Sequence, residues 1–351
     1  MSRSNIEWTQ DTWNPIVGCS IVSPGCTNCY AMKMAARIEG MNAEALASGR
    51  KPTGPHYDGT THNVNGNNVW TGKLAKASEK TLTEPLRNRK PTVYFVNSMS
   101  DLFLAPWDWI DEVFEVMAAT PHHTYQILTK RAKEMRQYCS RFGDVVMTSD
   151  RGSITRIWPL PNVWLGVSTE RQKEANERIP DLLATPAAVR FISAEPLLGP
   201  IELWNFDEGV LRGCAVIKDG HVTPSTPDNP PEGVDTSYPG IDWVIVGGES
   251  GPGSRPMHPD WARALRDQCL AAGVPFFFKQ WGAYLPFGQT SPEPLKKAAT
   301  LTVGEAFSQQ SYIKVGKAKA GRLLDGLLHD EMPEAFRGRR SIADQLEGTA
   351  A

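Results

Sequence analysis

Seven short runs rich in β-branched and aromatic residues, five of them followed by a stretch of helical periodicity, limit more than any other feature how this chain can fold. The runs are the segment around Trp13–Val17, then Thr92–Val96, Thr124–Leu128, Val163–Val167, Val189–Ile192, Trp243–Val246 and Pro275–Phe278. The helical stretches are Tyr30–Ile38, Trp109–Ala119, Ala132–Arg141, Arg171–Leu183 and Pro259–Ala272. Alternation of this kind argues against an all-β or all-α fold and predicts parallel strands joined by helical crossovers. The expected fold class is α/β, a partial or near-complete parallel (β/α) barrel of six to seven strands with loop insertions and a C-terminal extension. The barrel domain is expected over 1–290, the extension over 291–351 with a loose tail from Leu346. Residues from about 40 to 71, rich in Gly, Asn, His and Thr, read as an insertion. So does the stretch at about 205–240, which carries Pro224, Pro227, Pro230, Pro231 and Pro239 among acidic residues.

Ligands of such sheets bind at the carboxyl ends of the strands, so the residues after each apolar run form the candidate site. The first run is followed by three cysteines, the second by Asn97-Ser98-Met99-Ser100-Asp101, and the third by Thr129-Lys130-Arg131. Ser168-Thr169-Glu170, Ser193-Ala194-Glu195-Pro196, Gly247-Gly248-Glu249 and Lys279-Gln280-Trp281-Gly282 follow the rest. Helix capping accounts for Ser168 and Asp101, but caps need neither Lys130 nor Lys279. A polar ligand site is the better reading. Gly247-Gly248 fits either a close backbone approach or a tight turn. No phosphate-binding P-loop and no dinucleotide fingerprint occurs.

The cysteines Cys19, Cys26 and Cys29 have the spacing C-x6-C-x2-C. Three soft thiolates can hold three irons of a four-iron cluster and leave the fourth without a protein ligand. Structural zinc wants four ligands, usually as two paired half-sites, and here the second half-site is missing: Cys139, Cys214 and Cys269 are isolated and no histidine lies near the motif. Spacing alone leaves iron–sulfur, zinc and ordinary thiols open. A disulfide framework belongs to small secreted domains, and with no signal peptide at the start of the chain a reducing cytoplasm is expected.

A chain of 351 residues with 40% hydrophobic content and net charge −2 has no global pull toward nucleic acid or lipid, and no apolar run has the length of a membrane span. Two basic stretches stand out locally, Lys73, Lys76, Lys80, Arg87, Arg89 and Lys90, then Lys130, Arg131, Lys133, Arg136 and Arg141. Such runs usually cover solvated helix faces, and a polyanionic substrate is the alternative.

Cysteines in the loop after the first strand, followed by a parallel barrel with polar strand ends, resemble the radical S-adenosylmethionine superfamily. The spacing departs from that superfamily's commonest C-x3-C-x2-C, and Tyr30 follows the third cysteine where the usual aromatic residue precedes it. A closer resemblance is to an uncharacterised, phage-associated family defined by a three-Cys motif. It is carried by Trp13-Asn14-Pro15 to Tyr30, Val96 to Phe103, Leu128-Thr129-Lys130-Arg131, Trp164 to Ser168, Ser193 to Leu197, Gly247 to Gly251 and Phe278 to Gly282.

The resemblance implies a 4Fe-4S cluster on Cys19, Cys26 and Cys29, with S-adenosylmethionine across the carboxyl face and an electron donor as partner. Ser98, Ser100 and Asp101 would then meet its amino group, Lys130 or Arg131 its carboxylate, and Ser168 and Glu170 its ribose. Glu195, Glu249 and Lys279 would handle an unidentified substrate, nucleic acid or nucleotide among the options, or protons. The rival expectation is a cluster- or zinc-stabilised nucleic-acid-binding protein, with some of its eleven tryptophans stacking on bases.

Overall fold

The computed structural model describes residue 4 and residues 6–142, 158–203, 214–218, 221–224, 240–291, 300–303 and 309–333. Most of the expected insertion at 205–240, and the tail from Leu346, lie outside these residues. Seven strands form one sheet in strictly sequential order: β1 (Asp11–Trp13), β2 (Val93–Val96), β3 (Thr124–Thr129), β4 (Val163–Ser168), β5 (Val189–Ala194), β6 (Trp243–Gly247) and β7 (Phe276–Gln280). The pairs β1·β2, β2·β3, β3·β4, β5·β6 and β6·β7 run parallel. Strands such as Val-Tyr-Phe-Val of β2 and Trp-Val-Ile-Val-Gly of β6 are buried at every position, hence their near-continuous apolar sequence. The fold is α/β. No helix among the described residues is long and apolar enough to cross a membrane.

The chain divides into two compact units, Met1–Val167 with Thr185–Val189, and Ser168–Ala184 with Arg190–Ala351. In the first, α1 (Tyr30–Ala47), α2 (Trp107–Ala119) and α3 (Ala132–Cys139) follow β1, β2 and β3. Helix α2 buries Ile110, Val113, Phe114 and Met117, the i, i+3, i+4, i+7 stripe of an amphipathic helix. Trp13, Tyr94 and Tyr125 form an aromatic layer, with Tyr94 and Tyr125 stacked at 5.6 Å.

Two expectations change in this unit. The segment Trp13–Val17 is not one strand: after Trp13 the chain leaves the sheet through Asn14-Pro15, and Ile16–Val17 pairs antiparallel with Ala75–Lys76. Pro15 has no N–H to donate to a ladder, so the parallel pairing ends there. The stretch from 40 to 71 is ordered rather than a loop. Helix α1 continues through Gly40 to Ala47, because Met41–Ala47 is composed mainly of good helix formers. A hairpin of Thr61–Val64 and Asn67–Trp70 follows, turned by Asn65-Gly66. Tyr57 and Trp70 from this stretch pack with Val17, Ala31, Met32, Ala35 and Met99, and Cys19 and Cys29 lie against that cluster.

In the second unit, α4 (Gln172–Leu183) and α5 (Pro259–Ala272) accompany β5, β6 and β7. Helix α5 starts at Pro259 and ends at Gly273 in the left-handed conformation, a Pro-first, Gly-last helix. The C-terminal residues run along the free edge of β7: the Phe278 N–H donates to the His329 carbonyl, and the Phe276 N–H donates to the Glu331 carboxylate. This covers an edge that would otherwise expose unpaired backbone groups.

Candidate functional site

The cysteine segment is held to the carboxyl end of β2 by backbone. The Gly18 N–H donates to Met99 O at 3.3 Å, and Ser100 Oγ donates to Gly18 O at 2.7 Å. Gly18 has φ +90°, and an added Cβ would lie 2.1 Å from the Lys73 carbonyl oxygen, so only glycine fits. Cys26 ends a 3-10 turn, Pro24–Cys26, and Cys29 is the residue capping α1. Tyr30 Oη donates to Ser98 O at 2.9 Å, and Ser98 Oγ donates to Asn14 at 3.0 Å. The three thiols are unpaired by disulfide.

Burial pushes the Cys19 thiol up to about 12, with the Asp101 carboxylate adding to the effect and the Arg131 guanidinium opposing it. Burial also raises Cys29, against the backbone N–H groups of Met32 and Ala31 at the α1 N-terminus and against Lys130. Cys19 and Cys29, and Cys29 and Cys26, are close enough for their charges to interact. Among the described residues no group of three or more His, Cys, Asp or Glu is so arranged as to hold a metal ion.

Asp101 and Arg131 form a buried ion pair beneath this segment, 2.8 Å apart with side chains 7% and 8% exposed. Asp101 accepts four hydrogen bonds: Oδ1 from Thr129 Oγ1 and the Phe103 N–H, Oδ2 from the Lys130 N–H and Arg131 Nη1. Asn97, just after β2, buries Nδ2 with no hydrogen-bond partner among the described residues.

In the second unit Glu195, Glu170 and Glu249 each form an acid–base pair. Glu195 Oε1 accepts from Lys279 Nζ at 2.7 Å, with side chains 19% and 13% exposed. Their strands, β5 and β7, flank β6, and the pair meets across it because Gly247 has no side chain. A Cβ there would lie 3.2 Å from the Glu195 carboxyl. Glu170, fully buried, accepts from Arg178 at 2.8 Å, and Arg178 also donates to Ser168 O at 2.7 Å. Glu249 takes a bidentate contact from Arg255 at 2.6 and 2.9 Å. Thr169 Oγ1 and Ser193 Oγ are buried hydroxyls with no hydrogen-bond partner among the described residues.

Sequence reasoning passed over Ser20, Arg178 and Arg255. Arg178 had a readable signal, since it sits in the stripe Ala175, Arg178, Ile179, Leu182 that α4 buries, and a charge in an apolar stripe requires a partner. Ser20 had none, because its partner Arg131 lies 111 residues away.

No curated protein and no solved structure matches the chain. A family model matches residues 3–333, nearly the whole chain, and on that match the protein belongs to the family described as "Protein of unknown function (DUF5131)".

Proposed function

We propose that the protein is an iron–sulfur enzyme of the radical S-adenosylmethionine kind, with its sheet as part of a (β/α) barrel and its cluster on Cys19, Cys26 and Cys29. The observation that carries this reading is the placement of three free thiols at the carboxyl end of the first parallel strands, with Lys130 and Arg131 beside them. The donor set fits a cluster: soft sulfur ligands, cations to offset their negative charge when deprotonated, and a shell of Val17, Met32 and Met99 that limits water. Cys19, Cys26 and Cys29 would hold the cluster, and such a group, when bound and reduced by an external electron donor, would supply the chemistry of reductive S-adenosylmethionine cleavage.

The chain's own residues then divide the remaining tasks. Arg131 is committed to Asp101 and Ser20, and Lys130 is the other cation expected to meet the carboxylate of S-adenosylmethionine. Within the second unit, the Glu195–Lys279 pair can give or take a proton at its partly exposed atoms. The nucleic-acid-binding alternative is weakened by how the basic stretches are used. Lys76 pairs with Glu112, Arg141 pairs with Asp111 and lies over Trp107, and Arg87 bonds Thr83 and the Lys80 carbonyl.

Anaerobic reconstitution tests the reading. Brown protein with iron and sulfide in equal amounts, releasing deoxyadenosine from S-adenosylmethionine after reduction, is the expected result, with loss of iron in Cys19→Ala, Cys26→Ala and Cys29→Ala. Colourless zinc protein, or a well-loaded cluster that never cleaves S-adenosylmethionine, overturns it.

A further inference from the structure

We infer that Arg131 is a positioning residue that fixes the Cys19 loop, and with it the electrostatic setting of the Cys19 sulfur, by clamping Ser20 to the buried carboxylate of Asp101. The inference rests on the cluster reading above, and it deepens it by taking Arg131 away from the cofactor and giving it to the ligand loop. The two arms of the guanidinium do different things. Nη1 donates to Asp101 Oδ2 at 2.8 Å, whereas Nη2 donates to Ser20 Oγ at 2.6 Å and to Ser20 O at 3.2 Å. The Ser20 carbonyl that Nη2 holds also accepts from Cys19 Sγ at 3.6 Å.

The anchor for this clamp is rigid. Asp101 is fixed at both oxygens by Thr129 Oγ1, the Phe103 N–H and the Lys130 N–H, and the Arg131 N–H donates to Thr129 Oγ1 at 2.9 Å. Carboxylate, threonine and arginine therefore form one closed unit across the ends of β2 and β3. Only the outer edge of the guanidinium is left to reach outward, and it reaches the residue next to Cys19. A planar fork can hold two partners at once; an ammonium is a single point of charge. Ser20 is otherwise a loop residue between an exposed Ile21-Val22 pair and the ligand. On the other side the loop is tied by the Gly72 N–H, which donates to the Cys19 carbonyl at 3.2 Å.

Charge and fork are separated by comparing Arg131→Lys, which keeps a cation against Asp101, with Arg131→Met. In metal-free protein, hydrogen–deuterium exchange over residues 18–24 is expected to quicken roughly tenfold in both variants, because both lose the Ser20 contact. In anaerobically loaded protein, R131M is expected to hold iron about 10–100-fold more weakly. Its midpoint potential is expected to shift negative, since a cation has left a thiolate ligand, while R131K stays near the wild-type potential. Wild-type exchange rates in folded R131K together with an unshifted potential in R131M overturn the assignment, and where R131M does not fold the exchange of R131K decides alone. A wild-type chain that takes up no iron defeats the cluster reading by itself, and the exchange rates still show whether Arg131 holds the loop.

Discussion

Gly247 and Gly248 are sequence neighbours with opposite tolerance for a methyl group. A Cβ on Gly248 would lie 2.1 Å from the Trp281 carbonyl oxygen, which is backbone and cannot yield, whereas on Gly247 it would meet the Glu195 side chain at 3.2 Å. Gly248→Ala is therefore expected to destabilise the fold by about 3 kcal/mol, the upper range for overpacking, and Gly247→Ala by under about 1 kcal/mol, both read from urea midpoints at constant slope. Equal midpoints for the two variants would contradict this account. Gly247→Ala instead presses on the Glu195–Lys279 pair. In a double-mutant cycle with Glu195→Gln and Lys279→Met, that partly exposed pair should show a coupling of about 1 kcal/mol, shrinking in high salt. A coupling of zero would mean that the contact at 2.7 Å contributes nothing to stability.

Helix α5 is tied to the C-terminal hairpin by one carboxylate. Asp325, at the turn between Leu323–Leu324 and Leu327–Leu328, accepts from Arg263 at 2.6 Å, from Arg266 at 2.7 Å and from Gln289 at 2.8 Å. The Arg263 hydrogen bond, followed by those of Gln289 and Arg266, holds its carboxyl well below the usual range against the opposing effect of burial. A folded value below the unfolded one means that the stabilisation is complete above the unfolded pKa of about 3.9 and fades as pH falls through the folded value. Proteolysis within 321–333 should accordingly accelerate below about pH 4 in the wild type. Asp325→Asn keeps a residue that tolerates the left-handed turn, and should be cut faster at neutral pH with a flatter acid limb. Identical acid limbs for the two proteins would remove Asp325 as the tie. The run from Gly321 to Gly326 reads as ordered in the sequence, but two-residue strands carry no periodicity, so only its Asp-Gly turn points to a hairpin. Pro259-Asp260 announced the start of α5 openly. The stretch from about 40 reads in the sequence as an insertion, yet α1 runs through Gly40 to Ala47 and Asn42 docks onto Gly54 and Asp58.

Across the molecule, the cysteines with Asp101, Lys130 and Arg131 belong to the first unit, and Glu170, Glu195, Glu249 and Lys279 belong to the second. Loading iron should therefore be felt first in the unit that holds the thiols. A ligand that binds only the folded state stabilises it in proportion to affinity, so reconstituted protein is expected to exchange amides more slowly across residues 18–47 than metal-free protein, with α5 little changed. Uniform slowing throughout the chain, or none, would argue against a cluster in the thiol lobe.

The order of the strands, the parallel α/β class and the polar character of every strand end were legible in the chain, because buried parallel strands must be apolar along their whole length and the turns that follow them must not. The spacing of Cys19, Cys26 and Cys29 was equally plain. Folding alone decided which polar groups are consumed and which are left over: Arg131 closes on Asp101 and Ser20, Glu170 on Arg178, and Glu195 meets Lys279 over the bare Gly247. Those pairings join residues 8 to 111 positions apart, and although a stripe such as that around Arg178 shows that a partner is needed, which partner closes on it is set by how helices and strands pack.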